Sequence, residues 1–459
     1  MNFDLIYFTL WKIIEIVFGK DAREERFFNA KGYLIYYIVG SVIGMIVQPV
    51  FGLLSDNCSF RKGKRRVMMF LGIVIVTLFG IGFIVCSFVF DETFNEKEKQ
   101  ISDINQMIVM FIFSMGVIFG LNIIQVMNRA FLLDLVDYRD IKKGNLYLAS
   151  WGNLVKTLFC FIAIFCFSIG DWKQNLKAYD ILSNVSFILG IIILWVAFII
   201  ICIGSEETEL MSSRLRDSIS DVFEALKQLS KDFFTLLAVY LFGYIALAPL
   251  TSSFGRYFGT YYEDCPSDEF YTFFQHERSH VNYKHIDILT RTYSYFTYSF
   301  FAYIYSFIQP FIARKIGEIE TFICTLTISS FACSFLALPE LTTVMNDKSP
   351  CIYSPIYPII FFAFIGPSFV EIISLPYALL QKAVSPDQYG VFCGLLNLAV
   401  VFAQLLTTMI VSGFLAMFDF MTVWTFLWFI FFAIIACCVS IALKKMTERV
   451  SLNVNPRFV

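Results

Sequence analysis

Ionisable side chains lie inside several long, otherwise apolar stretches of this sequence. Arg129 and Asp134 lie near the end of one stretch, Lys156 lies in the next, and Glu371 lies in the middle of a later one. A charge in such a position costs roughly 2.5–3.5 kcal/mol by membrane-insertion scales, which makes these residues candidates for an ion or solute pathway. On a helix, Arg129 and Asp134 would be separated by roughly 7.5 Å along the axis and roughly 140° around it. The two cannot pair directly, so each needs a partner on another helix.

Three amide side chains also lie in apolar stretches. They are Asn153, Asn397 and Gln404. An amide in such a place can hydrogen-bond either the hydroxyl groups of a bound solute or a neighbouring helix. The sequence leaves both interpretations open.

Histidine and cysteine residues of the loops predicted to lie outside give two weaker signals. His276, His280 and His285 share one loop, and the spacing of the first two would suit zinc if that piece were helical. A solvated loop is favoured over a metal site, and pH sensing is the third alternative. Cys265 and Cys351 are the cysteines placed in these loops, and whether they form a disulfide is left open.

The elements that must position these side chains are predicted to be membrane-spanning helices. The chain is 58% hydrophobic and only 16% charged, and its apolar residues form blocks of about 20, the length of a transmembrane helix. The net charge of -2 gives no reason to expect a nucleic-acid partner. We predict twelve spans, at about 2–18, 33–55, 67–90, 106–135, 146–169, 183–204, 233–257, 290–313, 318–338, 354–381, 390–417 and 419–443.

Basic residues indicate the orientation of these spans. Lys and Arg are concentrated in the loops after the even-numbered spans, most densely between Arg61 and Arg66. By the positive-inside rule these loops are cytoplasmic. Both termini are therefore predicted to be cytoplasmic, in a multi-pass protein of the plasma membrane.

The chain divides into two predicted halves of six spans. Residues 1–204 form the first bundle, 205–232 a cytoplasmic linker, and 233–459 the second bundle with a tail. The linker carries apolar residues at helical spacing, which predicts an amphipathic helix on the membrane surface. A regulatory docking site is the alternative.

The two halves repeat each other in sequence. Gln48-Pro49 ends the second span and Gln309-Pro310 ends the eighth. Similar agreement links 130–134 with 377–381, and 152–154 with 396–398. A duplicated six-span unit with parallel halves is typical of major facilitator transporters. The predicted fold class is therefore an all-α polytopic membrane protein with two pseudo-symmetric six-helix bundles.

The turn after the second span carries an ordered set of small, acidic and basic residues. We call residues 52–66 the gating turn; its candidate residues are Gly52, Asp56, Gly63, Arg65 and Arg66. Glycine lets helices approach closely, and an acid at the membrane edge can pair with bases across a sliding interface. A role in fixing orientation alone is the alternative.

Four segments resemble the sucrose–proton symporters and the wider glycoside–pentoside–hexuronide:cation symporter family. The segment from Gln48 to Arg66 resembles their Gln-Pro, G-x-x-S-D-x-C and R-x-G-[KR]-R-R pattern. Residues 129–135, 374–379 and 394–404 resemble the family's R-A-L-L-x-D-L, S-[IV]-P-[FY]-A-L and G-x-x-N-L-x-I-V-x-P-Q motifs. The resemblance covers both halves and implies proton-coupled transport of a sugar.

The resemblance also implies roles for the carboxyl groups. It makes Asp134 the protonatable carboxylate of the coupling site; the alternative is a structural partner for Arg65 or Arg66. Ser252 stands where the family has an acid, so Glu371 becomes a second candidate for proton coupling. A salt bridge to Lys156 or Arg129 is the alternative for Glu371.

Further positions either keep or depart from the family pattern. Arg256 matches a family arginine, and it either bonds solute hydroxyls or extends to the membrane interface. Tyr257 stands in place of a second acid, and Lys156 replaces a glycine. With Arg129, Asn153, Asn397 and Gln404, Arg256 completes the predicted solute-binding set.

The function predicted from the sequence is secondary active transport. A sucrose-like disaccharide would enter with a proton by alternating access, within a lipid bilayer. An uncoupled sugar facilitator and a transport-incompetent receptor or scaffold are the alternatives. No P-loop, catalytic constellation or cofactor motif is found, so an enzyme and a bound cofactor are not predicted. The sugar, the coupling ion and the oligomeric state are left open.

Overall fold

The structure is a computed structural model. It describes residues 24–56, 63–91, 99–136, 141–168, 172–204, 231–262, 283–346, 356–383, 389–417 and 423–453. Within these ranges the regular structure is entirely α-helical. Four predictions lie outside the described residues: the first span, the linker helix, the histidine pair His276 and His280, and the cysteine pair Cys265 and Cys351.

Eleven helices occupy the described ranges, and α1 corresponds to the second predicted span. Each later helix corresponds to the next span in order. Their bounds are α1 Glu24–Asp56, α2 Lys64–Asp91, α3 Lys99–Leu135, α4 Ile141–Ser168, α5 Trp172–Gly204, α6 Lys231–Tyr262, α7 Tyr283–Ile316, α8 Glu318–Asn346, α9 Ile356–Ala383, α10 Tyr389–Met417 and α11 Val423–Asn453.

Nine of the described helices contain a segment long and apolar enough to cross a bilayer. Helix α10 contributes a shorter apolar segment, Phe392–Thr407. Helix α7 is less apolar because Tyr, Ser and Thr recur along it. Its Ser299, Tyr305 and Ser306 are buried, whereas Phe307 and Phe311 are exposed. The polar face of α7 therefore packs against protein, and its phenylalanine face is left for lipid.

Glycine residues with positive φ precede helices α2 and α8. Gly63 has φ 101° and stands directly before Lys64; Gly317 has φ 103° and stands directly before Glu318. This left-handed backbone favours glycine. The same turn device therefore follows the Gln-Pro helix in each predicted half, in agreement with the sequence repeat.

The described helices group into two compact units. Unit 1 contains α1, α2, α3, most of α5 and residues 389–405 of α10. Unit 2 contains α4, α6, α7, α8, α9, α11 and the rest of α10. The fifth helix of each predicted half thus groups, wholly or in large part, with helices of the other half. The division into 1–204, 205–232 and 233–459 stays a prediction.

The core of unit 1 depends on a close contact between α2 and α3. A Cβ atom at Gly120 would lie 2.7 Å from the carbonyl oxygen of Gly72, so no larger residue fits without movement. Around this contact the apolar side chains of Ile73, Val76 and Leu121 are buried. Small residues that let backbones approach are the usual means of packing helices in lipid.

Candidate functional site

Arg65 is the centre of a charge cluster in unit 1. Its side chain is only 1% exposed. Nη2 lies 2.5 Å from Oδ1 of Asp56, and Nε donates to Oδ2 of Asp134 at 2.9 Å. Nη1 donates to the hydroxyl of Ser55, which in turn donates to the carbonyl oxygen of Gly52 at 2.8 Å. One guanidinium group thus joins the ends of three helices.

Local structure explains this convergence. Helix α1 ends at Asp56, and the positive φ of Gly63 starts α2 so that Arg65 lies in its first turn. The last turn of α3 brings Asp134 to the same place. The planar guanidinium can serve several acceptors at once, which a lysine ammonium does less well. Arg66 follows in α2 and is partly exposed.

Asp134 is therefore observed as a partner of Arg65, one of the two interpretations drawn from the sequence. Its side chain is 21% exposed. The proton-coupling interpretation stays a prediction. The geometry supports a role in holding the gating turn.

A polar contact between helices lies deeper in unit 1. Nε2 of Gln48 donates to Oδ1 of Asn122 at 2.6 Å, and Nδ2 of Asn122 donates to the carbonyl oxygen of Ile118 at 2.9 Å. Gln48 was identified as part of the repeat and of the family motif, and Asn122 was not predicted at all. The available signal was an amide inside an apolar span.

Three predicted solute-binding residues also belong to unit 1. Asn397 of α10 is buried, whereas Gln404 and Arg129 are partly exposed. Nearby, a Cβ atom at Gly394 of α10 would lie 3.1 Å from Cα of Pro49, so α10 passes close to the Gln-Pro segment of α1. The solute-binding role of these three residues stays a prediction.

Glu371 lies in the interior of unit 2, on α9. Its side chain is 0% exposed, and the hydroxyl of Tyr305 on α7 donates to its Oε1 at 2.7 Å. The adjacent Val370 packs with Ala302 of α7 and Ala149 of α4. Glu371 is thus placed where α4, α7 and α9 meet.

Lys156 of α4 lies against the same helices. It is 2% exposed, and its Nζ atom lies 4.4 Å from the ring centroid of Phe369. The rings of Tyr298 and Tyr295 have their centroids at 5.9 and 6.0 Å from the same atom. Ring faces attract a cation by about 2 kcal/mol or more when water is excluded. The sequence marked Lys156 as an ionisable residue inside a span, as a departure from the family and as an alternative salt-bridge partner of Glu371, but did not include it in the solute-binding or proton-coupling set.

Asn153 lies one turn before Lys156 on α4 and is 0% exposed. Within the described residues, neither its Oδ1 nor its Nδ2 has a hydrogen-bond partner, and the same holds for the buried hydroxyl of Ser294 on α7. Thr157 fixes the local contact by donating to the carbonyl oxygen of Asn153 at 2.8 Å and approaching the Ser299 hydroxyl at 3.2 Å. Buried amides without partners are costly, which favours water or a ligand at this place.

Helix α6 contains the remaining predicted positions. Arg256, Ser252 and Tyr257 lie within its backbone range, and their side chains are outside the described part. Among the described residues, no group of three His, Cys, Asp or Glu side chains is placed to hold a metal ion.

Comparison with known proteins identifies the family. The family model described as MFS/sugar transport protein matches residues 30–275, which is more than half of the 459 residues. The chain belongs to this family. The general alpha-glucoside permease of Schizosaccharomyces pombe is 26% identical over 168 residues. That alignment covers 35% of this MFS sugar transport protein and spans only 29% of the permease.

Solved structures of similar fold are membrane transporters. A bacterial homologue of the iron transporter ferroportin, in the outward-facing state, aligns with a TM-score of 0.60 at 13% identity, covering 96% of this chain and 95% of the other. The proton:xylose symporter aligns with a TM-score of 0.61 at 12% identity, covering 95% and 90%. The fucose:proton symporter of E. coli aligns at 0.59 and 12%, covering 96% and 95%.

At such low identity these structures show the fold alone. The predicted all-α major facilitator fold is confirmed. This MFS sugar transport protein is a multi-pass membrane protein, and its family and the similar solved structures are membrane transporters, not enzymes.

Proposed function

We propose that this chain is a secondary transporter that carries a sugar or glycoside by alternating access, with a proton as the coupling ion. Membership of the sugar transport family supports the solute class. The name of the partly matching relative, an alpha-glucoside permease, also favours a glycoside, and the sequence resemblance favours a sucrose-like disaccharide. We place the protein in the plasma membrane with both termini in the cytoplasm.

The observation that carries the proton-coupling proposal is the environment of Glu371. A fully buried carboxyl group is stable when neutral and costly when charged, so a proton changes its free energy strongly. The hydroxyl of Tyr305 offsets part of the cost of the charged form. The protonation state of such a group can therefore depend on which side of the membrane the site is open to. Two of the similar solved structures are named proton symporters, for fucose and for xylose.

Solute contacts are proposed for amide and arginine side chains in each unit, taken separately. In unit 2 the amide of Asn153 has both hydrogen-bonding atoms available among the described residues. Asn397, Gln404 and Arg129 of unit 1 and Arg256 of α6 complete the proposed set. Amides and arginines suit sugars because they donate to and accept from hydroxyl groups in fixed geometry.

Transport by the purified full chain in proteoliposomes tests this function. We expect at least one of labelled sucrose, maltose, glucose and glucuronate to accumulate when the lumen is one pH unit more alkaline. One pH unit allows accumulation of about tenfold for a single proton. Binding without flux would support a receptor and contradict transport. Absence of both binding and flux for every sugar would contradict the assignment to sugars.

An uncoupled facilitator is the second candidate, and the engagement of Asp134 with Arg65 favours it. Because Asp134 is held in the gating turn, Glu371 is the remaining candidate of the two predicted proton-coupling carboxylates. Equilibration of sugar without accumulation, unchanged by pH, would select this candidate.

A further inference from the structure

Helix α6 contains a proline in its interior, at Pro249. Proline has no N–H group, so the carbonyl oxygen of Ile245, four residues earlier, loses its usual helical donor. Ile245, Leu247 and Leu250 are all buried, which leaves little access for water at this carbonyl group. A buried carbonyl group without a donor costs a free energy comparable to that of a lost hydrogen bond. Helix α6 therefore needs a donor from another part of the protein at this place.

Trp428 of α11 supplies that donor. Its Nε1 atom donates to the carbonyl oxygen of Ile245 at 2.8 Å. The indole ring has a single N–H donor and no acceptor, so the direction of this bond is fixed. Both helices belong to unit 2, and α11 packs along α6. A side chain of one helix thus replaces the backbone donor that proline removes from the other.

Aromatic contacts hold the indole ring of Trp428 in place. Its ring centroid lies 4.6 Å from that of Phe432 on the same helix. The ring of Phe432 in turn stacks on Phe242 of α6, with the two centroids 6.2 Å apart. Phe242 lies about one turn before Ile245. Helix α6 is therefore fixed to α11 by ring contacts before the break and by the hydrogen bond of Trp428 at the break.

The part of α6 beyond the break carries Arg256, which belongs to the proposed solute-binding set. The backbone of α6 continues as a helix from Pro249 to Tyr262. Arg256 follows Pro249 by about two turns, which is roughly 10 Å along the axis. A change of about 20° in the bend would move the backbone at Arg256 by roughly 3–4 Å. Hydrogen bonds vary by only about 0.5 Å in length, so such a shift would break a bond from Arg256 to a solute.

We propose that Trp428 is a positioning residue: by donating to Ile245 it sets the bend of α6 at Pro249 and thereby the position of Arg256. The inference rests on the proposed function only for the role of Arg256. While the bond is present, the parts of α6 before and after Pro249 keep one relative direction. Without it, the carbonyl group of Ile245 loses this donor, and α6 relieves the cost by changing its bend.

A double-mutant cycle separates this role from simple packing. Trp428→Phe removes the N–H group and keeps an aromatic ring, whereas Pro249→Ala restores a backbone donor for the Ile245 carbonyl group. In thermal unfolding of the purified full chain, we expect Trp428→Phe to lower the temperature of half unfolding by about 2 °C or more. The loss should be much smaller when Pro249→Ala is present. Trp424→Phe, which changes an exposed tryptophan one turn earlier on α11, should have a small effect in both backgrounds.

Sugar uptake in proteoliposomes tests the link to Arg256. The probes are labelled sucrose, maltose, glucose and glucuronate, each in turn. For every sugar that is taken up, Arg256→Gln and Trp428→Phe should each raise the KM by about tenfold, with a smaller change in the maximal rate. When Arg256→Gln is already present, Trp428→Phe should raise the KM no further, because the side chain that it positions has been removed. Trp424→Phe should leave the KM unchanged.

Two results would overturn the inference: equal losses of stability from Trp428→Phe in the two proline backgrounds, and an unchanged KM in Trp428→Phe. If Trp428→Phe alone yields no folded protein, recovery of folding on addition of Pro249→Ala supports the inference, and continued failure contradicts it. Absence of binding and uptake for all four sugars would contradict the proposed function. The unfolding comparison would still decide whether Trp428 satisfies the break in α6.

Discussion

At the scale of single residues, Arg65 gives the clearest energetic expectation. Arg65→Gln leaves Asp56 and Asp134 without their shared cation, and Asp56 is nearly buried. Breaking a buried pair from one side costs about 3–5 kcal/mol. We expect a marked loss of thermal stability of the detergent-solubilised protein, measured by the temperature of half unfolding.

Arg66→Gln is the matched control, since Arg66 is adjacent and partly exposed. Its loss should cost about 1 kcal/mol or less. Asp134→Asn should fall between the two because its side chain still meets solvent. Equal destabilisation by the two arginine variants would contradict the central role of Arg65.

Tyr305 offers a test of Glu371 that leaves the carboxyl group in place. Tyr305→Phe removes the hydroxyl that donates to Oε1. A hydrogen bond to a charged group contributes about 1.5–3 kcal/mol, so release of the proton should slow by about tenfold or more. Proton-driven accumulation should fall while exchange across the membrane is retained. Tyr303→Phe, on the same helix, should be neutral; loss of exchange in Tyr305→Phe would indicate a structural role instead.

At the scale of elements, Gly63 sets the start of α2 and with it the position of Arg65. A non-glycine residue in left-handed backbone costs about 1–2 kcal/mol, whereas asparagine tolerates this region better. We expect Gly63→Ala to lower both stability and transport rate, and Gly63→Asn to retain more of each. Thermal unfolding and initial uptake rates would measure the difference. Identical behaviour of the two variants would show that the turn has no strict backbone requirement.

The helices were predicted from the sequence more completely than the contacts between them. Apolar blocks of about 20 residues located α1 to α11 in order, because hydrophobic length is a local property. The pairing of Asp134 with Arg65 was one of two alternatives because both residues lie at helix ends on the predicted cytoplasmic side. The interaction partners of residues deep inside the spans could not be predicted in the same way. Asn122 meets Gln48, and Lys156 meets Phe369, across distances in sequence that no local pattern encodes.

At the scale of the whole molecule, the repeat predicted two similar halves but not the grouping of helices into units. The fifth helix of the first half groups with helices of the second half, and residues 389–405 of α10 group with those of the first. Sequence order alone suggests domains that are contiguous along the chain, whereas helix packing depends on which helix faces are complementary. The fifth helix of each half nevertheless behaves alike, which is what a duplicated six-helix unit would produce.

The polar face of α7 has a consequence for how the protein is made. A helix whose Tyr, Ser and Thr side chains are buried among other helices has little reason to leave the translocon for lipid by itself. We expect α7 to stay beside the translocon until α9 emerges and covers those hydroxyl groups. Membrane integration of α7, the eighth predicted span, then depends on α9. Mutations in α9 that weaken its packing against α7 would be seen first as failed membrane integration.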